Sequence, residues 1–198
     1  MRQLKKREHK LPFFMGGISM TKLYMGGVNY ETTSGAPWIT TEIFTVGCNK
    51  RCPGCINYFF QESNAKHRVF EPEELAQILH EQVPYRRLTI SGGEPFLQAK
   101  GLAHMLYHLR KKNIEEINPG GPWVVLCYSG YTFEELMAMK DPWVVNLLLG
   151  IDILVDGPFV EALKYPKEEF TFVGSTNQRI IDVPKTFEQK QIVLFEQE

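Results

Sequence analysis

Thr41-Glu42-Ile43-Phe44-Thr45-Val46 runs directly into Gly47-Cys48-Asn49-Lys50-Arg51-Cys52-Pro53-Gly54-Cys55-Ile56-Asn57. The β-branched and aromatic residues of the first part predict a strand. Gly47, Pro53 and Gly54 predict that the second part is a loop, carrying three thiols at C-x3-C-x2-C spacing. The same punctuation recurs down the chain. Arg87 to Ile90 reads as a strand ending at Ser91-Gly92-Gly93-Glu94-Pro95, Trp123 to Cys127 as a strand ending near Ser129, and Ile151 to Val155 as a strand ending at Asp156-Gly157.

Helical patterns fill the gaps. Glu71 to Gln82 has Pro72 at its first position and Leu75, Ile78 and Leu79 at helical spacing. Leu102, Met105, Leu106 and Leu109 mark a helix from about Gln98 to Lys112, before the turn residues Asn118 to Pro122. Thr132 and Glu135 form a capping box, Pro142 permits another short helix, and a further short one is expected from Pro158. Thr21 to Trp38, with Gly26, Gly27, Gly35 and Pro37, reads as a short strand with turns. Strands separated by helices predict an α/β fold with a parallel sheet, whose C-terminal loops collect the chemistry. Cys48, Gly92, Ser129 and Asp156 then gather at one end. So few βα units predict an open, partial βα barrel rather than a complete one.

Composition sets the limits. The 198 residues suit a single core, so residues 21–198 are expected to form one domain behind a flexible arm at 1–20. The basic stretch Met1 to His9 and the apolar Leu11 to Met20 lack the small-residue cleavage site of a secretory signal. Twenty-two Lys and Arg against 23 Asp and Glu give a net charge of -1, which provides no general field for nucleic acid or an anionic membrane. Trp143 to Val155 is apolar, but Asn146, Gly150 and Asp152 break it well short of a membrane span. Four cysteines, three of them within eight residues, fit a reducing, cytoplasmic setting and a metal site better than disulfides.

Zinc in a structural site takes four protein ligands, and Cys127, 72 positions after Cys55, is the remaining thiol. A [4Fe–4S] cluster on three thiolates instead keeps one iron open to a small-molecule ligand. Completion of a zinc knuckle by Cys127, or by a histidine such as His67, stays open on spacing alone. His104 and His108, one helical turn apart, are expected on a solvated helix face. In the second loop Gly92 and Gly93 allow close approach to backbone, and Glu94 can accept hydrogen bonds from an ammonium group.

Together the two loops resemble the radical S-adenosylmethionine (SAM) superfamily, in which three cysteines bind a [4Fe–4S] cluster and a Gly-Gly-Glu-Pro turn holds the methionyl amine of SAM. The resemblance implies a partial barrel of the radical SAM type. It makes Cys48, Cys52 and Cys55 the cluster ligands, and gives Gly54, Cys55, Ile56, Gly92, Gly93 and Glu94 contacts to SAM, with Ser129 a candidate for the ribose.

Phe44-Thr45-Val46-Gly47-Cys48-Asn49, closing at Cys55-Ile56-Asn57, is similar to the signature of glycyl-radical-enzyme activating proteins. Ile153-Leu154-Val155-Asp156-Gly157-Pro158-Phe159 and Gly174-Ser175-Thr176-Asn177-Gln178-Arg179 are similar to stretches of the activating proteins of anaerobic (class III) ribonucleoside-triphosphate reductase. Ile56 stands where an aromatic is common, and Ser34-Gly35-Ala36-Pro37-Trp38 replaces the usual Gly-Pro-Gly and basic residue.

The resemblance implies reductive cleavage of SAM to methionine and a 5′-deoxyadenosyl radical, which abstracts hydrogen from a glycine in the reductase large subunit. It requires an external electron donor such as flavodoxin, and no catalytic residue beyond the cluster and SAM. Asp156, Asn177 and Gln178 either serve that site or merely satisfy loop backbone. A small-molecule radical SAM enzyme, such as a 7-carboxy-7-deazaguanine synthase-like protein, and a non-catalytic zinc-binding module are the alternatives.

Overall fold

The computed structural model describes residues 21–115, 121–166 and 171–196. The basic arm and most of the Asn118 to Pro122 turn lie outside the described residues. Seven strands form one sheet: β1 (Leu23–Thr32), β2 (Thr40–Thr45), β3 (Arg68–Phe70), β4 (Arg87–Gly92), β5 (Val124–Tyr128), β6 (Ile153–Asp156) and β7 (Arg179–Asp182), in the order β3-β1-β2-β4-β5-β6-β7. The central four, β2-β4-β5-β6, are parallel as the alternating pattern predicts. β1 and β3 on one side and β7 on the other run antiparallel to their neighbours. The result is a mixed α/β sheet that stays open, with β3 and β7 at its edges.

Helices α1 (Pro72–Gln82), α2 (Ala99–Glu115), α3 (Phe133–Ala138) and α4 (Pro142–Gly150) connect strands, and α5 (Val183–Gln189) follows β7. The apolar stripe of α2 is sealed, Leu102, Met105, Leu106 and Leu109 all being 0% exposed. β5 shows how the sheet divides its side chains: Val125 and Cys127 join the helix-side core, while Leu126 joins a smaller cluster with Ala36, Ile153, Val155 and Val173. One face is therefore a packed core, and the other is left to build a site.

The capping box forms, with the Glu135 amide donating to Thr132 Oγ1 at 3.2 Å and the Thr132 amide to Glu135 Oε2 at 2.8 Å. Several expectations need correction. The segment from Thr21 to Trp38 holds a ten-residue strand rather than a short one. From Pro158 only a single 3-10 turn forms, at Glu161–Leu163. His104 is 5% exposed, with its ring 4.9 Å from that of Trp143, so it faces α4 rather than water. The reason is that α2 lies between α1 and α4 and has little free flank.

Arg110 and Asp152 fasten α2 to the sheet. Arg110 donates to the Gly150 carbonyl from Nη2 at 2.8 Å and to Asp152 Oδ2 at 3.1 Å, and the Val125 amide donates to the same carboxylate oxygen at 2.8 Å. Both side chains are at most 5% exposed. Removing one member of such a pair leaves the other charge buried. Asp152→Ala is expected to destabilise the chain by about 3–5 kcal/mol in urea unfolding.

Candidate functional site

The loops after β2, β4 and β5 meet over a cavity of about 520 Å³. Its wall is the sheet face turned away from the helices, where Glu42, Phe44, Ser91 and Tyr128 alternate with Ile43, Ile90 and Cys127 of the core. Cys48, Cys52 and Cys55 stand in that wall together with Gly92, Gly93, Glu94 and Ser129. Two motifs that are far apart in sequence are thus adjacent in space.

The contact between them is backbone on backbone. The Gly93 amide donates to the Thr45 carbonyl and the Glu94 amide to the Gly47 carbonyl, both at 2.8 Å. A Cβ on Gly93 would collide with the Gly47 carbonyl, and one on Gly92, at φ +104°, with the backbone of Thr45. These glycines were expected to admit a ligand, and they also admit the neighbouring loop. Across the base of the cysteine loop, the Gly47 and Cys48 amides donate to the Phe60 and Gln61 carbonyls, each at 2.8 Å.

The three loop thiols are free and half-buried. Burial pushes the Cys52 thiol up, with repulsion from Cys55 and Cys48 adding to it, as expected of sulfurs crowded in one loop. Among the described residues no three His, Cys, Asp or Glu converge as a single metal ion requires. A cubane takes one thiolate per iron, and the three thiols that share this loop and line the cavity are a donor set of the kind it takes. Cys127 is fully buried in the helix-side core, does not line the cavity and has its thiol 3.5 Å from the Tyr128 carbonyl. His67 contacts the Ala65 carbonyl and the Tyr24 ring. Neither supplies a fourth ligand to this loop.

Glu94 is 1% exposed, and both its oxygens are engaged. Oε1 accepts from the Phe96 amide at 3.1 Å and the Ser129 hydroxyl at 3.0 Å, and Oε2 from the Gly130 amide at 2.7 Å. Burial still pushes its pKa up to about 7, against these bonds and the Lys50 charge, which pull it down. Lys50 sits 3.6 Å above the Tyr131 ring with Nζ 3.5 Å from Glu135 Oε2, tying the cysteine loop to the loop after β5.

Ser129, expected near a ribose, has its hydroxyl committed: it donates to Glu94 and accepts from the Tyr131 amide at 3.0 Å. Gly54 adopts φ +71°, and a Cβ there would meet the Glu161 carboxylate. Ile56 is 72% exposed at the cavity mouth.

The later motifs hold structure together, and Gly157, Phe159, Gly174 and Gln178 of them also line the cavity. Asp156 is 1% exposed, accepts the Phe133 amide at 2.7 Å and pairs with Arg179 at 2.5 Å. The Asn177 side chain donates to the Pro158 carbonyl, and Gln178 accepts the Gly174 and Ser175 amides. Glu42, Lys50, Asn57 and Ser91 line the cavity and were not singled out from sequence. For Glu42 a signal existed, since it is the one charged residue inside a strand whose other residues suit a buried sheet.

Residues 37–181 match the family model described as a 4Fe-4S single cluster domain, which fits the cysteine loop and defines the class. Named relatives narrow it. The chain is 32% identical to the anaerobic ribonucleoside-triphosphate reductase-activating protein of Salmonella typhi over 146 residues, 72% of this chain and 87% of that protein. It is 31% identical to the protein of the same name from Vibrio cholerae over 147 residues, 73% and 88% of the two chains. For the Escherichia coli K12 protein the figure is 30% over 146 residues, 72% and 87%. The chain belongs to the family of anaerobic ribonucleoside-triphosphate reductase-activating proteins.

Gly93→Ala is expected to cost about 1–3 kcal/mol in chemical unfolding, because the seam has no room for a methyl group. Glu94, raised from 4.5 to about 7, makes a contribution to stability that is complete below pH 4.5 and lost as pH rises through about 7. The decline in stability across that window is expected to be shallower in Glu94→Gln than in the wild type, read from urea midpoints at successive pH values.

Proposed function

We propose that this chain activates an anaerobic ribonucleoside-triphosphate reductase by forming a glycyl radical on its large subunit, as a single radical SAM domain spanning residues 21–198 in an open barrel. The observation that carries the reading is the backbone seam, which joins the three-thiol loop and the Gly-Gly-Glu turn in the wall of one cavity. Membership of the activating-protein family supports the same reading.

In this reading Cys48, Cys52 and Cys55 hold a [4Fe–4S] cluster with one iron free of protein ligands. Gly92 and Gly93 offer carbonyls, and Glu94 its carboxylate, to the amine of SAM, while Gly54 and Ile56 flank the nucleotide. The bound cluster and SAM supply the hard chemistry, a one-electron reductive cleavage that gives methionine and a 5′-deoxyadenosyl radical.

The chain's own residues bind, orient and shield. Ser129 and the Gly130 amide fix the Glu94 carboxylate from below. An ammonium group brought to Glu94 favours its ionised form, so amine binding and ionisation reinforce each other. Lys50 bridges the cysteine loop to Tyr131 and Glu135 after β5, so that a shift of one is felt by the other. The electron comes from an external donor such as flavodoxin, in a cytoplasmic, reducing setting. Among the described residues no helix is long and apolar enough to cross a membrane.

The test is anaerobic. Reconstituted, reduced protein incubated with SAM and the reductase is expected to give methionine and a glycyl doublet in electron paramagnetic resonance, and Cys52→Ala is expected to abolish both. Methionine without a doublet would remove the assigned partner. Undiminished SAM cleavage by Cys52→Ala would overturn the ligand assignment.

A further inference from the structure

Glu42 is a carboxylate in the cavity wall that the proposed chemistry leaves unused. It is 6% exposed, yet its partners are hydroxyls: Ser34 at 3.4 Å and Ser91. Among the described residues no cation pairs with it, and burial pushes its carboxyl above the usual range. Two hydroxyl donors leave part of a carboxylate's capacity for about four hydrogen bonds unfilled. Buried charges in proteins are ordinarily paired, and a charge left so is stabilised by whatever cation reaches it.

Access is from the cavity, because Glu42, Asn29, Ser34 and Ser91 all line it. Asn29 stands opposite Glu42 in the β1–β2 register and lines the same cavity. Gly35, which also lines the cavity, stands close against the carboxylate, since a Cβ there would come within 2.8 Å of its Oε1. A group arriving through the cavity can complete its shell.

The level of Glu42 separates it from the Glu94 end. Glu42 pairs with Thr89 in register, whereas Thr45 pairs with Gly92. Three residues of strand place the Glu42 backbone roughly 10 Å below the glycine turn, and its carboxylate reaches up as far as Ser91. A cation there does not compete with an amine at Glu94, so the cavity holds two negative subsites at different depths.

We propose that Glu42, with Asn29, Ser34 and Ser91, takes the guanidinium of an arginine carried by the polypeptide segment that enters the cavity. The inference rests on the reading that the substrate is a protein loop, and adds which side chain that loop presents. A guanidinium fits better than an ammonium because its planar fork meets a carboxylate with two parallel bonds and has further donors for the Asn29 and serine oxygens. The Tyr128 hydroxyl is not available to the carboxylate, since it donates to the Phe172 carbonyl at 2.6 Å.

The experiment uses reconstituted holoprotein with SAM, kept anaerobic, and labelled heptapeptides centred on glycine with arginine one, two or three positions away, each beside a citrulline counterpart. Citrulline keeps the shape and removes the charge. At least one arginine peptide is expected to bind ten-fold or more tightly than its counterpart by fluorescence anisotropy, and Glu42→Gln is expected to reduce that preference below two-fold. A structural role for Glu42 would not erase a preference for charge.

Equal binding of the paired peptides, no binding of either, or a preference that survives in Glu42→Gln would overturn the proposal. So would a loss of SAM affinity in Glu42→Gln as large as the loss for the peptide, which would assign Glu42 to the nucleotide. SAM cleavage by reduced wild-type protein without peptide separates the two levels. Cleavage without arginine preference defeats this inference alone, and absence of cleavage takes down the reading beneath it as well.

Discussion

The structure depends on a close approach of two backbones. β2 and β4 are parallel neighbours, and at their C-terminal ends the chain must leave the sheet twice within a few ångströms. Gly92 and Gly93 make this possible by having no side chain where Thr45 and Gly47 pass, and the two amide bonds of the seam then lock the exits together. The cysteine loop is closed at its root by Phe60 and Gln61 and held at its side by the glycine turn. Thiols on a free loop would lose entropy on gathering around any ligand, and a loop fixed at both places has lost most of it on folding.

Buried carboxylates sort this molecule into scaffold and site. Asp152 has Arg110, Asp156 has Arg179, and Asp182 has Lys185 at 3.5 Å. Each of these joins a strand to a helix or to another strand, and none lines the cavity. Glu42 and Glu94 are also buried but have no ion-pair partner among the described residues, and both line the cavity. Desolvation raises both. Unpaired charge costs stability, so its confinement to one cavity is what a binding site for cationic groups requires.

The parallel centre of the sheet was legible because β2, β4, β5 and β6 are short runs rich in β-branched, aromatic and aliphatic residues that end in glycine, serine or aspartate, and because α1 and α2 carry full helical stripes. The edges were not. β3 has three residues and β7 four, too few for a period to show, and α5 opens on Val183 and Pro184 with no apolar stripe. In the site, the cysteines and Gly-Gly-Glu were visible as local spacing. The hydrogen bond from Ser129 to Glu94 joins residues 35 apart, and the Asn57 amide reaches Ser91 across 34. Such contacts follow from strand register, which local pattern does not encode. Asp156 could be read from sequence either as a site residue or as a turn residue, and its partners, Phe133 and the register neighbour Arg179, make it a joint.

Openness of the sheet bears on how the proposed radical chemistry would be contained. β3 and β7 do not meet, and Ile56, Tyr58 and Phe59, exposed at 72%, 58% and 65%, stand apolar on or beside the cysteine loop. A small-molecule enzyme must exclude water with its own lid. If the substrate is a polypeptide, the incoming protein can cover these side chains and complete the wall, so water exclusion is shared between two chains and happens only when both are present. A carboxylate at depth then gains a further purpose beyond affinity. In that reading its full hydrogen-bonding shell would be reached only by a segment inserted all the way, so it would couple correct seating of the target to closure of the mouth, and a loop resting at the surface would gain nothing from it.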